Sequence, residues 1–246
     1  MELCSDEVIV TGLVPYGESD LVVRLFARER GRIGAFARGA RRSKRRFAGA
    51  LQVLATGTAS LKARRGSELF QLESLEPDPG LLALARDPEA WGRASYLVEI
   101  VEKLLPEAEP SPALFRWLRE AFALLAEGRG DARLLRAFEL KLLGETGYLP
   151  DLSTSSDVPG RPPVAVDPVS GELVALSGPG RVPFPPEAQR AAEALLVADL
   201  ATPPDVDDET LKAVGRLFAV HLRRMGITEL NSVAFLKNLG APASRS

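Results

Sequence analysis

Residues 8–46, VIVTGLVPYGESDLVVRLFARERGRIGAFARGARRSKRR, decide the fold of the first third of the chain. Val8–Val14 is rich in β-branched residues, Leu21–Ala27 is a second apolar run, and Arg32–Arg38 alternates between apolar and polar or larger side chains. These patterns are typical of β-strands. Because Glu29–Gly31 is a short glycine-containing link, we expect a tight hairpin between the second and third strands.

Two further segments extend this β region to residue 76. Leu51–Leu61 and Leu69–Leu75 are apolar, and the polar link 62–67 between them is typical of a turn. Five short strands suit a small barrel, for which the OB-fold is the common solution. An SH3-like barrel fits the pattern almost as well. The sequence therefore predicts a five-stranded barrel over residues 1–78.

The remainder of the chain, residues 79–246, has a helical period interrupted by an irregular insertion. Prolines at first-turn positions and glycines beyond the last turn predict helix boundaries. The expected helices are 88–105, 112–127, 131–145, about 186–195, 207–225 and 228–239. Residues 149–186 are rich in Pro, Gly and Ser, with one short hairpin expected around 164–174. The predicted fold class is α+β multidomain: an N-terminal five-stranded OB-fold barrel followed by an α-helical bundle.

The composition favours a globular protein and excludes several kinds of site. Of 246 residues, 46% are apolar and 26% charged, without a long apolar run or a signal-peptide pattern, so we expect a cytoplasmic protein without membrane contact. Cys4 and His221 are the only residues of their types, which excludes an internal disulfide, a Cys/His zinc site and a cysteine–histidine pair. We predict no metal, no cofactor and no catalytic residue.

A basic run predicts nucleic-acid binding, although the net charge is −2. Six of the nine residues 38–46 are basic and none is acidic: Arg38, Arg41, Arg42, Lys44, Arg45 and Arg46. Clustered cations repel one another, and contacts from Arg and Lys to phosphates supply most sequence-independent affinity for nucleic acid. Arg64 and Arg65 in the next loop extend the same patch. The alternatives are a solvated loop or a loop that binds an acidic protein.

Aromatic residues near this run are candidates for stacking on unpaired bases. Phe47 borders the basic run and Tyr16 lies in a Pro-Tyr-Gly turn, so we predict that these two rings face the nucleic acid. Phe26, Phe36 and Phe70 fall within predicted strands and are expected in the core.

Two features of the helical region carry alternative interpretations. Asp205, Asp207 and Asp208 could ligate a nuclease metal, but carboxylates just before a helix favour helix capping. Arg136 falls on an apolar side of its helix, where a cation needs a carboxylate. An internal Glu is the default partner, and an acidic peptide from another protein is the alternative. His221 is expected to be a packed residue.

The sequence resembles the RecO family over nearly its whole length. The resemblance rests on residues 8–52, which begin VIVTGLVPYGESDLVVRLFARERGRIGAFARG, on RAFELKLLGETGYLP at 136–150, and on ITELNSVAFLKNL at 227–239. Many members carry a four-cysteine zinc module after the GYLP-like motif. Residues 151–180 here contain no Cys, so the insertion at about 149–186 corresponds to a degenerate module.

The resemblance implies a nucleoid-associated recombination mediator that binds single- and double-stranded DNA and anneals complementary strands. It also implies cooperation with RecR to load RecA onto DNA coated by single-strand-binding protein. In the family, the helical domain receives the acidic C-terminal tail of that protein, which implies a tail site at Arg136 with Arg133, Lys141 and Arg223. An RNA-binding OB-fold protein of translation and, less favoured, a metal-dependent nuclease remain as alternatives.

Overall fold

A computed structural model describes residues 3–43, 46–47, 50–78, 84–152 and 164–240 of the chain. The first strands form a closed barrel in the order β1-β2-β3-β5-β4. Their bounds are β1 Leu3–Tyr16, β2 Asp20–Ala27, β3 Gly31–Ala37, β4 Thr56–Lys62 and β5 Phe70–Pro77. The long β1 pairs antiparallel with both β2 and β4, and β3 closes the barrel by pairing parallel with β5. The predicted five-stranded OB-like barrel is confirmed.

The sequence predicted that the fourth strand begins at Leu51, but it begins at Thr56. Before it, Leu54 adopts a left-handed backbone with φ 69° and is buried in the core. The Leu54 N–H donates to the Val10 carbonyl, and the Val10 N–H donates to Ala55, next to the irregularity in β1 between Val10 and Gly12. The apolar residues just before Thr56 therefore form a buried turn. The apolar pattern of the sequence did not distinguish this turn from a strand.

The helical region among the described residues contains six α-helices close to the predicted positions. They are α1 Pro88–Leu104, α2 Pro112–Ala126, α3 Ala132–Glu145, α4 Pro186–Val197, α5 Asp208–Arg224 and α6 Asn231–Gly240. Asp87, Ser111 and Asp131 cap α1, α2 and α3 through their side-chain oxygens. None of the helices within the described ranges is long and apolar enough to cross a membrane.

The insertion is more regular than the sequence predicted. The expected hairpin is present as β6 Val164–Val166 and β7 Leu173–Ala175, and the unexpected β8 Val182–Phe184 completes a three-stranded sheet ordered β7-β6-β8. Val166 and Phe184 are buried in the helical core, so burial against the helices accounts for this sheet despite its weak local pattern.

One apolar cluster joins the barrel to the helical region, and the barrel interior forms a second cluster. Ile9 and Phe26 from the barrel belong to the same buried cluster as the helices, and the Phe26 ring lies 5.6 Å from that of Phe115. At the edge of this contact, Arg119 on α2 donates to Glu7 at 2.7 Å and to Asp78 at 2.7 Å. The barrel's orientation relative to the helices is therefore set by buried apolar contacts and by ion pairs around them.

Candidate nucleic-acid interface

The first part of the basic run, residues 38–43, forms a turn that directly follows β3. After β3, Gly39 adopts a left-handed backbone with φ 66° and leads into a single 3-10 turn, Ala40–Arg42. The Gly39 N–H donates to the Asp20 carboxylate at 2.7 Å, and this hydrogen bond lowers the pKa of Asp20. The Arg41 N–H donates to the Ser19 carbonyl at 2.9 Å. The start of the basic run is thus attached to the β1–β2 turn.

The four described arginines of the run are exposed, and their contacts are those of a solvated surface: Arg38, Arg41, Arg42 and Arg46. Arg41 donates to the Glu18 carbonyl at 3.3 Å, and Arg42 lies 3.7 Å from the Glu18 carboxylate. Lys44 and Arg45 lie outside the described residues. Because exposed ion pairs are weak, these guanidinium groups remain available to another anion.

Phe47 corrects the sequence prediction. Its side chain is 2% exposed and packs in the barrel core, with the Arg46 guanidinium 5.2 Å from the ring centre. A buried ring cannot stack on a base, so the prediction that Phe47 faces nucleic acid is wrong. Phe47 packs instead with the buried apolar residues of the barrel interior.

Phe36 takes the surface position that the sequence had assigned to Phe47. It is half-buried, and its ring contacts the edge of the Tyr16 ring at 5.5 Å, while the Arg64 guanidinium lies 5.4 Å from its centre. Tyr16 is 60% exposed, and its contact with a base stays a prediction. The neighbours Ala35 and Ala37 point into the barrel, so strand alternation places Phe36 outside. This alternation was the signal available in the sequence.

The exposed and half-buried groups at the β1–β2 turn, the end of β3 and the two basic loops are here called the basic–aromatic surface: Tyr16, Phe36, Arg38, Arg41, Arg42, Arg46, Arg64 and Arg65. Its guanidinium groups can contact phosphates without reading sequence, and its rings can stack on unpaired bases. OB-type barrels bind oligonucleotides on the same kind of strand face and adjoining loops. The surface has the chemistry required for a single-stranded nucleic acid.

The helical region presents a second, different arrangement around Arg136. Its Nη1 lies 2.8 Å from the Glu139 carboxylate, which is 1% exposed and also accepts a hydrogen bond from the Tyr96 hydroxyl at 2.5 Å. Burial raises the pKa of Glu139 despite the nearby guanidinium. The default interpretation, an internal Glu for Arg136, is confirmed.

Arg136 nevertheless lines a groove between α3 and α5. This helical groove has a volume of about 620 Å³ and is lined by Ala132, Arg136, Asp208, Leu211, Lys212, Gly215, Arg216 and Ala219. A Cβ at Gly215 would collide with the Arg136 guanidinium, so the glycine allows this arginine to reach the groove. Lys212 and Arg216 are exposed, and Arg223 continues the same face of α5. Their spacing of four and seven residues, which places them on one helix face, was the missed sequence signal.

Two of the residues that the resemblance assigned to a partner's tail have other contacts. Lys141 is buried, donates to the Leu196 carbonyl at 2.7 Å and lies 5.2 Å from the centre of the Trp117 ring, so its assignment to an exposed tail site is wrong. Arg133 forms ion pairs with Asp131 at 2.6 Å and with Asp205 at 3.2 Å. Arg133 therefore contributes to the start of α3.

The acidic run has a structural role. Asp207 caps α5 by accepting from the Thr210 N–H at 2.9 Å and from its hydroxyl at 2.7 Å. In the part of the chain that the structure describes, no group of three or more His, Cys, Asp or Glu is placed to hold a metal ion. His221 is buried with Nδ1 2.9 Å from the Leu217 carbonyl, and burial lowers its pKa. The expected packed histidine is confirmed.

The protein consists of an OB-like barrel, which carries the basic–aromatic surface, and a helical body. Two family models match the chain, Recombination protein O N terminal over residues 1–78 and Recombination protein O C terminal over residues 85–229. The chain belongs to the RecO family of DNA repair and recombination proteins.

Curated relatives agree with this assignment. DNA repair protein RecO of Myxococcus xanthus is 35% identical over 224 residues, which cover 80% of this chain and 90% of the relative. The protein of the same name from Pelotomaculum thermopropionicum is 35% identical over 232 residues, or 94% and 83% of the two chains. That from Geobacter metallireducens is 33% identical over 250 residues, or 97% and 99%.

Proposed function

We propose that this chain is a recombination mediator that binds single-stranded DNA through the basic–aromatic surface, and double-stranded DNA through the arginines of that surface. The observation that carries the proposal is the contact of Tyr16, Phe36 and Arg64 beside the exposed arginines of the basic run. A single strand offers both phosphates and unpaired bases to such a surface, whereas a duplex offers mainly phosphates.

Strand annealing follows from the same chemistry. Arginines that neutralise the phosphates of two strands lower the repulsion between them, and no covalent step is required. We propose that the protein acts in the cytoplasm, at the nucleoid, as a non-enzymatic factor. With RecR it helps to load RecA onto DNA coated by single-strand-binding protein.

We further propose that the helical groove receives the acidic tail of single-strand-binding protein. Lys212, Arg216 and Arg223 along α5 offer cations to carboxylates, and the partly exposed Arg136 lines the same groove while it is paired with Glu139. Leu211, Ala132 and Ala219 offer an apolar strip for the tail's apolar side chains. This combination of charge pairing and apolar anchoring is a common mode of peptide recognition.

The test is fluorescence-anisotropy binding to a labelled single-stranded oligonucleotide across a salt series. The variant carries Arg38→Ala, Arg41→Ala, Arg42→Ala and Arg46→Ala. We expect weaker binding and a log–log salt slope smaller by up to about 3, because each lost phosphate contact on a single strand removes about 0.7. A control variant removes four exposed charges elsewhere, at Arg86, Arg116, Arg190 and Lys237.

Unchanged affinity and slope in the loop variant, or equal losses in the control, would reject the basic–aromatic surface as the DNA site. Competition by structured RNA that exceeds competition by single-stranded DNA would favour the RNA-binding alternative. Magnesium-dependent cleavage of the oligonucleotide would favour the nuclease alternative.

A further inference from the structure

The outer face of the barrel continues from the basic–aromatic surface toward the helical body. Across the β2–β3 ladder, Phe36 lies opposite Val22 and Gly34 lies opposite Arg24. Across the β1–β2 ladder, Gly12 lies opposite Arg24. Residues two apart on a strand share a face, so Arg24 lies on the same face as Phe36, about 7 Å further along β2. The next cation along this face is therefore Arg24, which stands between two glycines.

Arg24 is drawn away from this face by a carboxylate of the helical body. Its Nη1 lies 3.6 Å from Glu102 Oε2 on α1, and a Cβ at Gly12 would collide with its guanidinium. The side chain therefore crosses β1 over Gly12, yet it remains 55% exposed. Glu102 is held in place, because its Oε1 accepts a hydrogen bond from the Thr11 hydroxyl at 2.5 Å.

A second arginine shares the same carboxylate. Arg32 Nε lies 3.8 Å from Glu102 Oε1, and Arg32 Nη1 donates to the Leu105 carbonyl. Among the described residues this buried Nε finds no hydrogen-bond partner. Both arginines thus approach Glu102 at ion-pair distances longer than a hydrogen bond. The buried Arg32 Nε is therefore left without a hydrogen bond, although the Glu107 carboxylate lies 4.0 Å from Arg32 Nη2, and Arg24 holds Glu102 only through a half-exposed ion pair.

Space for another anion adjoins this cluster. Cavities of about 390 Å³ and about 500 Å³ are each lined by Arg24, Arg32 and Glu102. The larger one also includes Val22, Gly34 and Phe70 of the barrel face. The smaller one adds Lys103. The larger cavity opens toward the strand face. Together the two cavities are lined by three cations, Arg24, Arg32 and Lys103, and by four carboxylates, Glu68, Glu99, Glu102 and Glu107. Arg24, with 55% of its side chain exposed, is the more accessible of the two cations on the strand-face side.

We propose that Arg24 is a further phosphate-binding residue of the DNA surface and that Glu102 restrains it in the free protein. On binding, a phosphodiester of the single strand replaces Glu102 as the acceptor of Arg24, while Arg32 keeps Glu102 paired. The exchange requires a rotation of the Arg24 side chain, whose guanidinium now lies over Gly12. The Leu69 side chain occupies the space over Gly34, so the rotation is away from β1 and along the open cavity. This inference rests on the proposed DNA-binding function and extends its path to the junction of the two domains.

The test is a double-mutant cycle with Arg24→Gln and Glu102→Gln, measured by anisotropy on the full-length chain with a single-stranded oligonucleotide. Arg24→Gln is expected to weaken binding about threefold to tenfold and to lower the salt slope by about 0.7, the value for one phosphate contact. Glu102→Gln keeps an acceptor for Thr11 and is expected to tighten binding about threefold. Arg190→Gln, which removes an exposed charge on α4, is the control.

The cycle distinguishes two effects of Glu102 on DNA binding: its ion pair with Arg24 and its general repulsion of the phosphates. If Glu102 acts through Arg24, the gain from Glu102→Gln disappears in the Arg24→Gln background. An equal gain in both backgrounds would overturn the proposal, since it would reflect only the lost negative charge. Melting temperatures of all variants check folding, and Arg24→Lys provides a second variant that retains the charge.

The same series distinguishes this inference from the function on which it rests. If the loop variant loses affinity but Arg24→Gln behaves like Arg190→Gln, the basic–aromatic surface stands and Arg24 has no part in it. If the native chain does not bind the oligonucleotide, both the inference and the proposed function are rejected.

Discussion

The basic–aromatic surface and the helical groove both carry arginines, but they use them differently. On the basic–aromatic surface, Arg41 donates to the Glu18 carbonyl and Arg42 lies near the exposed Glu18 carboxylate. In the helical body, Arg136 is paired with the buried Glu139, and Arg133 is paired with Asp131 and Asp205. A cation in a loop is left to solvent and to ligands, whereas a cation on a packed helix acquires an internal carboxylate because desolvation otherwise penalises it.

This difference predicts that arginine substitutions in the two regions change different properties. In the barrel they should change DNA affinity with little effect on stability. In the helical body they should change stability first. The following predictions test that division, in order of decreasing effect.

The largest expected effect is at Arg136. Arg136→Met leaves the Glu139 carboxylate buried without its cation, so we expect the free energy of unfolding to fall by about 3 to 5 kcal/mol. Denaturant titration measures it. Arg136→Met combined with Glu139→Gln should recover most of the loss, and Arg41→Ala should stay within about 0.5 kcal/mol of the native chain. A stable Arg136→Met protein would remove the distinction between the regions.

Substitutions of Phe47 and Phe36 in the barrel should affect stability and DNA binding separately. Phe47→Ala deletes a buried ring and should lower the free energy of unfolding by about 3 kcal/mol. Phe36→Ala should leave stability nearly unchanged but weaken single-stranded DNA binding about tenfold, since a stacked base contributes about 1 to 3 kcal/mol. Anisotropy measures DNA binding and denaturant titration measures stability for both variants. If only Phe47→Ala lost binding while it remained folded, Phe47 and not Phe36 would be the DNA-contacting ring.

The groove should bind peptide and leave DNA binding unaffected. Lys212→Glu with Arg216→Glu should weaken binding of a labelled acidic peptide with a free C-terminal carboxylate about tenfold, because charge-assisted hydrogen bonds are lost. Arg190→Glu with Lys237→Glu is the matched charge reversal. Equal losses in the two variants would mean that the peptide follows net charge and has no site in the groove.

The smallest expected effect concerns pH and the basic run. The Gly39 N–H lowers the pKa of Asp20 below its usual value of 3.8. A carboxyl with a lowered folded pKa stabilises above its unfolded pKa and loses that contribution as pH falls through the folded pKa. The Gly39–Asp20 hydrogen bond should therefore hold the start of the basic run at neutral pH. It should be lost only when the pH falls below the usual pKa of an aspartate. A carbon-13 titration of Asp20 that gives 3.8 or higher would contradict this.

Sequence patterns predicted the elements well where the pattern was local. Alternation in β2 and β3, and proline and aspartate at helix starts, placed most strands and helices within a few residues. The same rules missed β8 and the core turn at Leu54, because burial against distant residues determines both. The predicted positions of Phe36 and Phe47 were interchanged: Phe47 is the buried ring and Phe36 is half-buried on the outer face. Hydrophobicity alone does not say which face of a barrel a ring occupies.

The sequence by itself determined the five-stranded barrel, the helical body and the family, because these depend on periodicity and on motifs that are contiguous in the chain. It also placed the basic run in a loop. Only the tertiary structure decided that Arg136 has an internal partner, that Lys141 is buried and that Arg24 and Arg32 share Glu102. These pairings join residues far apart in the chain, and desolvation and packing choose between partners only once the elements are assembled.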